Sequence, residues 1–333
     1  MCWLRVNATY MNEILNIIDG LHINLKQESM LLVNIILAFV MFGVALGIKV
    51  QTFKDVFKNP KSVFLGILLQ WLLLPGLTCL LAIILNPFIS QMVALGMILV
   101  ASCPGGNISN FMSSLSKGNV ELSVTLTALT TAFASFITPI NFLVWGSLYS
   151  RFAAVHNEIP TLEIPFSDML HQILIILGLP IILGILFAYY CPNAAKKAMK
   201  PSQILSILLF VAMVAITVKK VLEQIPAGNT QIVVGIFVIL FFVIIHNATA
   251  LGAGFSVAKF TKCSPADCRT LTIETGIQNS GLGLALLFNP AIFDPNIWTN
   301  NGGMVLITAL WGVWHIVSGL SVAAIFRKTN IAK

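Results

Sequence analysis

The sequence predicts an all-α membrane protein of about nine spanning helices arranged as an inverted repeat, and three observations carry that reading. The first is composition: 57% of the 333 residues are hydrophobic and 9% are charged, where a soluble domain carries about a quarter charged residues. The second is a stretch without any charged side chain between Lys61 and Lys117, long enough for two crossings at about 20 residues each. The third is a pair of polar, glycine-bearing interruptions inside apolar runs, at 103–110 and 274–283. Unbroken runs such as Ile67 to Leu85 lack the roughly ten-residue alternation of a membrane barrel, so the spans are helices.

Taken in order, residues 1–28 are too polar to span and lack the layout of a signal peptide. Met11, Ile14, Leu15, Ile18 and Leu21 recur at helical spacing opposite Asn12, Glu13, Asn16 and Asp19, which predicts an amphipathic helix on the bilayer surface. Apolar runs then place spans at 29–49, 62–86, 90–116, 119–149, 166–190, 203–221, 228–258, 267–290 and 303–326. The region 29–149 reads as a first repeat, 150–202 as a linker span with its loops, 203–326 as an inverted second repeat and 327–333 as a tail. An even number of spans plus one linker inverts the second half.

Basic residues set the orientation. With the C-terminus cytoplasmic, every Lys and Arg except Arg5, Lys26, Arg151, Lys219 and Lys220 falls inside, while Glu158, Glu163 and Asp168 fall outside. The expected protein is thus a multi-pass cell-membrane protein with an external N-terminus. The net charge of +7 is spread over short loops, without the clustered bases and interleaved aromatics of a nucleic-acid face. Cys2, Cys79, Cys103, Cys191, Cys263 and Cys268 form no metal pattern and read as unpaired thiols, so no transition metal is expected. Asn7-Ala8-Thr9 fits a glycosylation acceptor, a three-residue match of low specificity.

The two interruptions, Cys103-Pro-Gly-Gly-Asn-Ile-Ser-Asn110 and Glu274-Thr-Gly-Ile-Gln-Asn-Ser-Gly281, occupy matching places in the two halves. Glycine alone would permit kinks and close packing. Joined to Asn, Ser, Gln and an acid, the breaks expose carbonyls at one half-helix end and N–H groups at the other, suited to a cation and an anion. Glu274 is the acid placed deep in a span, with no basic residue in that span; uncompensated, its charge costs about 3 kcal/mol there. Its partner is a cation or a proton. Gln278 lies one turn on, Thr275 and Ile277 offer main-chain oxygens, Ser109 and Asn110 sit in the other break, and Ser123 and Thr127 share a helix face. Asn107 and Asn279, beside the breaks, are the expected donors to an anion. His246, next to Asn247, and His315 lie inside spans and read as packing histidines or pathway lining.

These residues resemble the bile acid:sodium symporter family, and the nine spans resemble its bacterial-type, nine-span form. The resemblance rests on Cys103-Pro-Gly-Gly with Ser109-Asn110, on Gly118-Asn-Val-Glu-Leu-Ser123, on His246-Asn247 and on the Glu274 block. It implies panel and core domains, two crossing discontinuous helices, alternating access and two sodium sites. By motif, the first sodium would use Ser109, Asn110, Ser123, Thr127 and Glu274. The second would use Gln70, Glu274, Gln278 and the main-chain oxygens of Thr275 and Ile277. The implied cargo is a small organic anion, a bile acid or related carboxylate or sulfonate, contacted by Asn107, Asn279 and His246. Sodium is the coupling ion, with no organic cofactor, nucleic acid or obligate protein partner; the remaining partner is the lipid bilayer. Rival readings are a proton-coupled carrier, a channel and, weakest, a hydrolase, since Ser280 and Ser109 have no evident His or Asp partner for nucleophilic chemistry.

Overall fold

The computed structural model describes residues 2–21, 30–48, 59–157, 170, 171, 173–223, 230–289, 292, 293, 298 and 300–328. Lys26, Lys49, Lys54, Lys58, Glu158, Glu163, Asp168 and the tail beyond Lys328 lie outside the described residues. Among the described residues the protein is all-helical. The helices are α1 (Cys2–Asp19), α2 (Met30–Ala45), α3 (Pro60–Leu85), α4 (Gln91–Ser102), α5 (Ile108–Leu115), α6 (Val120–Ala132), α7 (Ala134–Asn157), α8 (Leu174–Tyr190), α9 (Pro192–Glu223), α10 (Thr230–Phe260), α11 (Pro265–Gly276), α12 (Ser280–Leu287) and α13 (Gly302–Lys328).

Three of these, α3, α10 and α13, are each long and apolar enough to cross a bilayer unaided. Their outward faces carry Phe64, Leu72, Leu80, Phe237, Phe241, Val313 and Val317, all exposed, as a lipid-facing helix requires. The expected span 119–149 is divided: α6 and α7 meet at Phe133 with a bend of 74°. Hydropathy sees one apolar run there. The backbone departs from it at Phe133, whose φ of −98° and ψ of 4° leave the helical region.

Proline shapes two helices. Leu69–Leu73 in α3 and Leu174–Gly178 in α8 are π-helical, and each is followed two residues later by a proline, Pro75 and Pro180. The wider turn relieves the clash between the ring and the preceding carbonyls. In α3 it also carries Gln70, buried at 2% exposure.

Helices α2, α8 and α9 pack on one another as a group beside the remaining bundle. The apolar face of α1, expected on the bilayer surface, covers protein: Ile14, Leu15 and Ile18 are fully buried. Gly235 of α10 lets Ile14 and Ile18 close, since a β-carbon there would lie 2.9 Å from Ile14 Cγ2. Asp19 accepts from Ser90 Oγ at 3.0 Å, tying α1 to the start of α4. Burial pushes the Asp19 carboxyl up to about 7.

The loops sort into two ends. At one, Asn12 donates to Pro87 O and Tyr149 to Asn86 Oδ1. At the other, Lys61 donates to Thr261 O and Arg269 to the carbonyls of Ser116 and Lys117. Lys117 and Lys262 take left-handed φ of 59° and 54° just past α5 and α10, and the bonds Gly118 N to Ser113 O and Cys263 N to Ala258 O close those helix ends. Lys61, Lys117, Lys262 and Arg269 therefore share one end of the molecule.

Candidate functional site: two crossed helix breaks around Glu274

The breaks between α4 and α5 and between α11 and α12 meet backbone to backbone. Gly105 and Gln278 form an isolated antiparallel bridge. Gly106 N donates to Ile277 O at 2.9 Å and Asn279 N to Pro104 O at 2.8 Å. Each break thus satisfies groups that the other leaves open when its helix stops. Gly106 is required by the approach: a β-carbon there would lie 3.1 Å from Gln278 O and 3.3 Å from its carbonyl carbon.

Glu274, two residues before the end of α11 and 1% exposed, faces a ring of side-chain oxygens. Ser109 Oγ donates to its Oε1 at 2.5 Å, Ser123 Oγ donates to the same oxygen, and Thr127 Oγ1 lies 3.3 Å from Oε2. Asn110 Oδ1 joins them, 2.9 Å from Ser123 Oγ and 3.5 Å from Thr127 Oγ1. The i, i+4 spacing of Ser123 and Thr127 works as expected, because both hydroxyls project from one face of α6. No ion pair to Glu274 is found among the described residues. A hydroxyl that donates to a carboxylate keeps its own lone pairs. The cluster therefore offers a hard cation several neutral oxygens and one negative charge.

A second group adjoins it. Gln70 Nε2 donates to Glu274 O at 3.2 Å and lies 3.5 Å from Oε2, while its Oε1 accepts from Gly105 N at 3.1 Å. Gln278 Nε2 donates to Thr275 O at 3.0 Å, and Gln278 Oε1 is buried without a partner among the described residues. Ile277 O holds Gly106 N, and Asn247 Nδ2 donates to Gly276 O at 2.8 Å. A buried acceptor with no donor is costly, and a bound cation would remove the cost at Gln278.

The structure thus brings Ser109, Asn110, Ser123, Thr127, Glu274 and Gln70 into one network, with Thr275, Ile277 and Gln278 along its edge. Asn279 stands at the crossing and uses Oδ1 to cap α12 through Leu282 N at 3.0 Å, so the cap does not use its NH₂. Asn107 begins α5 without a side-chain cap. His246 lies elsewhere: its Nε2 bonds Thr78 Oγ1 at 2.8 Å and its ring sits 4.4 Å from that of Trp311. The Thr78 and Asn247 contacts were not anticipated, because they join helices distant in sequence. Asn119, capping α6 through Leu122 N, could have been found from its place just before an apolar helix. Cys79, Cys103, Cys191, Cys263 and Cys268 are free thiols.

The chain is similar to several known transporters. The family model of the sodium bile acid symporter family matches residues 34–227. An uncharacterised sodium-dependent transporter of Bacillus subtilis is 29% identical over 89% of this chain and 83% of its own length. A sodium-dependent organic anion transporter of Mus musculus is 29% identical over 92% of this chain and 76% of its own length. A probable chloroplastic sodium/metabolite cotransporter of Oryza sativa is 29% identical over 78% of this chain and 58% of its own length.

Proposed function

We propose that this chain, which belongs to the sodium bile acid symporter family, is a sodium-coupled symporter of small organic anions that binds two sodium ions at the crossed helix breaks. The observation that carries the reading is Glu274, buried without an ion-pair partner among the described residues and held by three hydroxyls and Gln70. One ion is bound by Ser109, Asn110, Ser123, Thr127 and Glu274. The other is bound by Gln70, Glu274, Gln278 and the carbonyls of Thr275 and Ile277. Ion binding at the crossing stiffens the two breaks, and the anion then meets donors there. The group α2, α8 and α9 is the panel against which the rest moves to alternate access. Sodium-dependent relatives support the coupling ion. Uptake into proteoliposomes under a sodium gradient tests it; uptake under a proton gradient with sodium absent would favour proton coupling at Glu274 instead.

The anion is placed against Asn107 and Asn279, where half-helix N-termini and amides donate without a buried positive charge. Asn279→Ala should weaken substrate affinity about tenfold and destabilise the fold by about 1 kcal/mol through the lost cap. Unchanged affinity for substrate alongside normal sodium binding would move the anion elsewhere.

The basic end is proposed to face the cytoplasm. Exposed Cys191, between α8 and α9, gives the readout in a Cys2→Ser background. An impermeant maleimide should label it only after the cells are permeabilised, whereas a cysteine replacing His156 should be labelled in intact cells. The reverse pattern would invert the topology.

A further inference from the structure

Three helices that bring ligands to Glu274 start at the basic end of the molecule, and their starts converge on one carboxylate, Asp267. Its Oδ2 accepts from Asn59 Nδ2 at 2.8 Å and from Ser62 Oγ at 2.8 Å. Its Oδ1 accepts from Asn119 Nδ2 at 2.7 Å. Asn59 and Ser62 begin α3, which carries Gln70; Asn119 caps α6, which carries Ser123 and Thr127; Asp267 lies in the first turn of α11, which carries Glu274. Two further bonds tie the same ends: Thr270 Oγ1 to Asn119 O at 3.0 Å and Asn119 N to Ala266 O at 3.3 Å. Asp267 is 6% exposed and touches none of the oxygens around Glu274.

We infer that Asp267 is a positioning residue for sodium, which sets the register of α3, α6 and α11 so that Gln70, Ser123, Thr127 and Glu274 reach the ions together; the inference rests on the sodium reading above. The lever arms are short. Glu274 is about two turns, roughly 10 Å, along α11 from Asp267, and Ser123 is about one turn along α6 from Asn119. An α-helix transmits a slide or rotation of its first turn to ligands at that range with little loss. Ligand constellations need to be held within about 0.5 Å, and a misplacement of about 1 Å costs on the order of a hundredfold.

The chemistry of the contact permits a swap. In Asp267→Asn the new side-chain oxygen can still serve Asn59 and Ser62, but its NH₂ faces the NH₂ of Asn119, donor against donor. Asn119 must then lose that bond or turn its amide and give up the cap on Leu122 N. Adding Asn119→Asp restores every bond, because a carboxylate at 119 accepts from both Leu122 N and the new amide.

The test is a sodium chloride titration of the purified full-length protein, with choline chloride holding ionic strength constant, read as the rise in melting temperature. Asp267→Asn should raise the sodium concentration for half the shift about tenfold, and the double variant should return it to within about twofold of wild type. A merely stabilising Asp267 would lower the melting temperature without sodium and leave the half-point unmoved. A wild-type half-point in the single variant, or no recovery in the double one, overturns the inference. Should the single variant not fold, Ser62→Ala, which removes one donor and no charge, should raise the half-point about threefold, and an unmoved half-point overturns the inference equally. A wild-type protein that does not respond to sodium overturns the sodium reading and this inference with it; a normal wild-type response with unmoved variants overturns this inference alone.

Discussion

Glu274→Gln is expected to reduce sodium-driven uptake by about a hundredfold or more while the protein still folds and melts cooperatively. The amide keeps the shape of the side chain and one acceptor oxygen for Ser109 and Ser123. It removes the charge that offsets a bound ion, worth about 3 kcal/mol at this depth, which is about a hundredfold in affinity. Because both proposed sites share Glu274, both ions weaken together. Ser123→Ala should be milder, about tenfold, since it deletes one neutral oxygen and leaves the carboxylate with Ser109 and Thr127. Purified Glu274→Gln that still drives uptake from a sodium gradient would remove Glu274 from the mechanism.

The next largest effect is expected from Gly106→Val. Its β-carbon alone would press on the carbonyl of Gln278, at 3.1 Å, and on Ile277 Cγ2, at 3.4 Å, and the γ-carbons add to that crowding. The breaks must separate, with loss of the Gly106 N to Ile277 O and Asn279 N to Pro104 O bonds. A cost of about 1–3 kcal/mol in stability is the smaller consequence. The larger is that Gln278, Thr275 and Ile277 leave their places beside Glu274, so the sodium-induced rise in melting temperature should disappear. A folded Gly106→Val protein with an undiminished sodium response would show that the crossing is not part of the ion sites.

Much of the candidate site was legible before any coordinates. Glu274 stood out because a lone acid deep in an apolar run needs a partner. Ser123 and Thr127 declared a shared face by their spacing, and the polar glycine breaks declared where backbone groups come free. Those signals are local, carried within one or two helical turns. What stayed hidden depends on how distant segments register against one another. The bonds between Pro104–Gly106 and Ile277–Asn279, the Thr78–His246 contact and the convergence of Asn59, Ser62 and Asn119 on Asp267 each join separate helices. Amphipathicity in α1 revealed its buried face but not its partner, since bilayer and protein select the same apolar stripe. The bend at Phe133 was missed for a different reason: hydropathy averages over a window and does not register one residue leaving the helical region.

Direct binding of radioactive sodium to the purified wild-type protein tests the central claim. Saturable binding of two ions per chain is predicted, displaced by unlabelled sodium but not by potassium and lost in Glu274→Gln. Absence of saturable binding, or equal binding by wild type and Glu274→Gln, would contradict the account.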